Sequence, residues 1–177
     1  MNIRLLAAAD AAAFQQLRLA ALLDTPAAFA SSHAEEKDAS LAEVARRLEP
    51  AEGRWVLGAF DGAALVATVG FAREARAKFA HKAVVWGMYV APAARGHGLA
   101  RELMVALIER ARQTPGLARL DLVADSMNVA AIALYESLGF VVWGREQDAM
   151  RLDGASRDDL HMALRLDAAA VPPARRQ

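Results

Sequence analysis

The 177-residue chain contains no cysteine, which excludes a disulfide framework, a thiolate metal site and a cysteine nucleophile within it. It has no excess of either charge, since 21 Lys and Arg balance 21 Asp and Glu. No global field therefore gathers DNA, RNA or an anionic membrane around it, and nucleic acid is not an expected partner. Long apolar runs are missing as well. The opening "MNIRLLAAADAAAF" is broken by Arg4 and Asp10 and has no basic flank ahead of an uninterrupted apolar stretch. Neither a membrane association nor a secretory leader is expected, and the chain reads as cytoplasmic. The 4 histidines are scattered without ligand spacing, so no metal site is expected.

What is present is a composition that is 55% hydrophobic, enough to bury one core. Residues 1–167 read as a single domain and residues 168–177 as a flexible tail. "NIRLL" predicts a short strand, followed by a helix through "AAAFQQLRLAALLD" with Asp10 as its cap. A long link, "TPAAFASSHAEEKDAS", leads to a second helix opened by a Ser40/Glu43 capping box. "RWVLGAF" and "ALVATVGFA", separated by "DGA", predict an antiparallel hairpin. In the next run, "AVVWGMYVA", Gly87 suggests a bulge or a close backbone approach. "GLARELMVALIERARQ" repeats Leu99, Leu103 and Leu107 at helical spacing. A strand "ARLDLVA", a helix from about Asn128 to Leu138 and two strands, "FVVWGRE" and "LHMALRL", complete the chain. The order β-α-α-β-β-β-α-β-α-β-β predicts an α/β (α+β) fold, a mixed seven-stranded sheet with about four helices on its faces.

One segment carries chemistry. In "VAPAARGHGLARELM" two glycines lie between a strand and a helix with Arg95 beside them. Such a loop presents several N–H groups at the positive end of a helix dipole, and glycines let a phosphate approach the main chain. The Lys-Ser/Thr pair of an ATP-binding loop and the full dinucleotide fingerprint are both absent, which points to another pyrophosphate-bearing ligand.

Arg95-Gly96-His97-Gly98-Leu99-Ala100 fits the R/Q-x-x-G-x-G/A signature of the GCN5-related N-acetyltransferase superfamily, which the chain resembles. "GMYVAP" before it and "NVAAIALYESLGF" after it resemble the neighbouring family strand and helix, so the likeness spans residues 86 to 140. The resemblance implies a mostly antiparallel sheet splayed between its fourth and fifth strands to admit the acetyl-pantetheine arm of acetyl-CoA. It implies that the main chain of Met88 and Val90 lines the arm and that Arg95, Gly96, His97, Gly98, Leu99 and Ala100 hold the pyrophosphate. Asn128 would contact the arm, and Tyr135 would lie near the thioester sulfur as a general acid, a tyrosine of ordinary pKa, about 10, being neutral at pH 7.

Taken singly, these residues keep plainer alternatives: Tyr135 as core packing, Asn128 as a helix cap, Arg95 as a solvated loop cation, His97 as an exposed loop residue. Many members of the superfamily carry a glutamate base on the fourth strand, where this chain has Trp86, which is either core packing or a wall of the acceptor pocket. Glu35, Glu36 and His33 in the long link are candidates to attract or deprotonate an amine, with plain solvated charge as the alternative. The expected activity is acetyl-CoA-dependent transfer to a primary amine of a small or amino-acid-like acceptor. A peptide or protein amine and a non-catalytic acyl-CoA sensor are the alternatives, and a homodimer is left open.

Overall fold

The computed structural model describes residues 1–166; the expected tail, 168–177, lies outside the described residues. Seven strands form one sheet: β1 (Asn2–Leu5), β2 (Arg54–Asp61), β3 (Ala64–Arg73), β4 (Lys82–Val90), β5 (Arg119–Asp125), β6 (Val141–Leu152) and β7 (Ala155–Arg165). Their order across the sheet is β1-β2-β3-β4-β5-β7-β6, and every neighbouring pair is antiparallel except β4 with β5. The helices are α1 (Ala11–Asp24), α2 (His33–Glu36), α3 (Leu41–Leu48), α4 (Leu99–Arg112) and α5 (Val129–Ser137). The four expected helices are thus joined by a fifth, the single turn α2 within the long link.

Side chains of the central strands are buried on both sides. From β2, Trp55, Leu57 and Ala59 face a core closed by α4 and α5, whose Leu103, Met104, Leu107 and Tyr135 enter it. Val56 and Phe60 point the other way, into a second core closed by α1 and α3 through Leu17, Leu22, Val44 and Leu48. This two-sided burial reads in the sequence as near-continuous apolar runs rather than alternation. Beyond β4 the helical cover on the α1/α3 side stops, and Val123, Val141 and Trp143 are exposed there.

Caps follow the local sequence with one exception. Ser40 accepts from the Glu43 N–H while Glu43 accepts from the Ser40 N–H at 2.9 Å, the expected reciprocal box. Asp10 does not cap α1 with its side chain. Its carboxylate accepts from the Ala7 N–H at 2.9 Å and pairs with Arg4 at 2.7 Å, because a short 3-10 turn precedes α1 and takes the cap instead. The β2–β3 loop is Gly62 and Ala63, with Gly62 in the left-handed region at φ 57°.

Candidate active site

β4 and β5 are paired only from Lys82/Arg119 to Val84/Asp121 and then part. In β4 the register against β3 slips between Thr68 and Gly70, so Gly87 and Met88 bulge there, with Gly87 at φ 63°. The bulge steers the end of β4 away from β5. The cleft so opened has a volume of about 370 Å³ and is walled by Trp86, Met88, Val90, Arg95, Ala100, Asn128 and Tyr135, all expected site residues, together with Leu122 to Asp125 of β5. Ala91 donates to Val66 on β3, so by strand alternation the main chain of Val90 and Met88 faces the cleft.

The glycine loop continues from the cleft to the head of α4. Gly96 and Gly98 have φ of 82° and 77°, and a Cβ built on either meets nothing within 4 Å, so the space in front of both is open. The N–H groups of Gly96, His97, Gly98, Leu99 and Ala100 have no acceptor among the described residues. Five unpaired donors in succession at a helix N-terminus, beside open space, fit the oxygens of a pyrophosphate. His97 is exposed on this loop.

Arg95 is turned differently from the expectation. Its guanidinium ion-pairs with Asp24 at the end of α1 and donates from Nε to the Val90 carbonyl at 2.9 Å. Tyr89 donates to the same Asp24 at 3.1 Å. Arg95 therefore ties the loop to α1, and its charge is already matched; both partners hold the Asp24 carboxyl below its usual range.

Tyr135 is buried, its ring tilted against Phe140 at 6.0 Å, and burial pushes its pKa up to about 12. The hydroxyl is consequently a neutral donor at physiological pH. Tyr135 thus both packs in the core and lines the cleft. Asn128 caps α5 by accepting the Ala131 N–H at 3.2 Å while lining the cleft.

On the opposite side of the cleft Trp86 lies flat on the backbone of Gly70: a Cβ there would come within 2.1 Å of the indole. Gly70→Ala is expected to displace the ring and destabilise the protein by about 1–3 kcal/mol, read as a lower denaturant midpoint with altered tryptophan emission. Glu35 and Glu36 do not line the cleft. Glu35 closes a second capping box with Ser32, accepting its N–H at 2.6 Å, and Glu36 holds Arg18 through two bonds at 3.0 and 2.7 Å. Both carboxyls are thereby kept below their usual range. Their charge is consumed by local structure, and His33 belongs to the same short turn. The Ser32-x-x-Glu35 spacing was visible in the sequence as a cap. Among the described residues no group of three or more His, Asp or Glu could hold a metal, and no helix is long and apolar enough to cross a membrane.

Comparison with known proteins places this geometry. A mycothiol acetyltransferase of Renibacterium salmoninarum is 35% identical over 135 residues, 70% of this chain but 38% of its own length. An L-methionine sulfoximine/L-methionine sulfone acetyltransferase of Salmonella typhimurium is 38% identical over 87 residues, 49% of this chain and 50% of its own length. The chain thus spans half or less of these curated relatives. The structure of yncA from Salmonella typhimurium, solved with its cofactor acetyl-CoA, superposes with a TM-score of 0.77 at 30% identity, covering 98% of each chain. Residues 11–140 match the acetyltransferase (GNAT) family throughout the stretch that builds the parted strands, the glycine loop and α5, and the chain belongs to that family.

Proposed function

We propose that the chain is an acetyl-CoA-dependent N-acetyltransferase that passes the acetyl group directly to a primary amine of a small, amino-acid-like molecule. The observation that carries this is the run of five unpaired N–H groups from Gly96 to Ala100, leading into a cleft that ends at Tyr135. Bound acetyl-CoA would supply an activated acetyl carbon and a thiolate leaving group. The loop would hold the pyrophosphate through its N–H groups, and the edge of β4 at Met88 and Val90 would align the arm. A main-chain N–H of the opened strand would meet the developing oxyanion. Tyr135, neutral and buried, would donate its proton toward the departing sulfur. Names of relatives support the acceptor class: one is a methionine sulfoximine acetyltransferase, an enzyme named for an amino-acid-like compound.

Two measurements test the proposal. Acetyl-CoA at about a hundred times its Kd should stabilise the protein by about 2.7 kcal/mol, by mass action on the native state. Thiol release and product mass, followed over a panel of L-methionine sulfoximine, L-methionine sulfone, other amino acids, simple amines and peptides, should show turnover with a small amine. Protection by acetyl-CoA with no transfer to any member would make the chain a sensor; transfer to peptides alone would replace the acceptor class.

A further inference from the structure

The cleft continues through the parted strands to the sheet face that α4 and α5 do not cover. A second chamber of about 330 Å³ lies there, under the link that follows α1. It shares Ala28, Val85, Trp86, Gly87, Val123 and Asp125 with the first cleft, so the two adjoin in the gap between β4 and β5. Phe29, Met150 and Trp86 give it apolar walls.

Three charged side chains line this chamber: Arg18, Asp125 and Asp159. Arg18 is held by Glu36 and lies over the Phe29 ring at 4.5 Å. Asp125, buried, is paired with Arg157 and accepts the Met127 N–H at 3.0 Å. Asp159 stands directly across from Asp125 in the β5–β7 register. Its carboxylate has no hydrogen-bond donor or ion-pair partner among the described residues, although it is lodged where burial disfavours its charge. With the two ion pairs cancelling, the chamber carries the charge of Asp159 alone.

We propose that Asp159 receives the ammonium group of the acceptor in this chamber and is the base that removes its proton. The inference rests on the acetyl-transfer reading above and supplies the carboxylate that β4, with Trp86, lacks. A partly buried, unpaired carboxylate is costly, and a bound ammonium relieves that cost, so the chamber selects a cation over an anion. The apolar walls take the body of the amine. Asp159 takes one proton from the ammonium as the nitrogen lone pair forms the C–N bond to the acetyl carbon. The C–S bond breaks, the thiolate takes the Tyr135 proton, and the second nitrogen proton leaves to restore Tyr135 through solvent. One amide, one thiol and one proton held on Asp159 result.

Groups on every neighbouring strand bear on this carboxyl. Burial raises its pKa first, Asp125 and Glu146 add to the rise with Asp158, and His161 opposes it. For an acid whose folded pKa lies above its unfolded one, the native state binds the extra proton. Stability therefore falls as pH rises from the ordinary carboxylate range through the raised value, and the fold carries the penalty at neutral pH. A base kept this way is a better proton acceptor and a worse structural element.

The test compares wild type with Asp159→Asn, Asp159→Glu and the exposed-turn control Asp153→Asn, using the best amine from the panel above. Asp159→Asn should lower kcat/KM at pH 7 by about a hundredfold to ten-thousandfold. The loss should shrink as pH approaches the pKa of the free amine, about 8 for an α-amino group and about 10 for an alkylamine. Its Tm at pH 7 should equal or exceed that of wild type, the gain vanishing as pH falls into the carboxylate range, and acetyl-CoA should protect it normally. Asp159→Glu should keep the acid limb of the pH profile, and Asp153→Asn should match wild type. A folded Asp159→Asn enzyme with wild-type kcat/KM and an unchanged acid limb would overturn the base assignment and leave the acetyltransferase reading standing. A fall in Tm with loss of acetyl-CoA protection would make Asp159 structural and overturn it equally. Wild type that binds acetyl-CoA but acetylates no amine would overturn the reading itself, and the base assignment with it.

Discussion

Removal of the Tyr135 hydroxyl alone should lower kcat by roughly tenfold to a thousandfold, given the usual range for general-acid catalysis and rescue by water. Tyr135→Phe keeps the ring that packs on Phe140 and nearly all of its buried surface, so folding and acetyl-CoA affinity should change little. The pKa of about 12 sharpens the expectation, because the proton stays on the hydroxyl throughout the neutral range. No basic limb from this group should therefore appear below about pH 10, and thiolate departure should slow at every accessible pH. Single-turnover kinetics isolate the chemical step. A folded variant with undiminished single-turnover rate would return Tyr135 to a packing role.

The second large effect concerns the loop. Gly98→Val should abolish most of the thermal protection given by acetyl-CoA while the free protein still folds. Its side chain would fill the open space in front of the loop donors. A non-glycine residue at φ 77° also strains the head of α4, at about 1–2 kcal/mol, which for a chain of this size lowers Tm by about 2–8 °C. Gly98→Ala imposes similar strain with less bulk and should retain part of the protection. Arg95→Ala should lose less than Gly98→Val, since the guanidinium already faces Asp24 and the backbone donors remain. Isothermal titration checks the ranking, and normal acetyl-CoA affinity in folded Gly98→Val would remove the loop from the site.

These residues differ in how far they could be found without coordinates. The glycine loop, Gly87 and the Ser40 box were legible because each is a local device: positive φ, a bulge, a cap one turn away. Asp10 misled because Arg4, on the strand just before it, and a 3-10 turn compete for the same carboxylate. Glu36 looks available in the sequence because its partner Arg18 lies 18 residues away on another helix, whereas the serine that engages Glu35 is only one turn before it. The pairing of Arg95 with Asp24 spans 71 residues and could not be seen. Nor could the chamber around Asp159, since only the β5–β7 register and the folded link bring it beside Trp86.

The parted strands have a consequence for kinetics. A gap open on both faces of a sheet would give the proposed donor and acceptor separate mouths, so that neither would have to leave before the other enters. Under the proposed direct transfer both substrates would occupy the gap together, and initial-rate lines should converge rather than run parallel. Inhibitors at the two mouths would then be distinguishable by which substrate they oppose, and a single molecule threaded through the gap would oppose both.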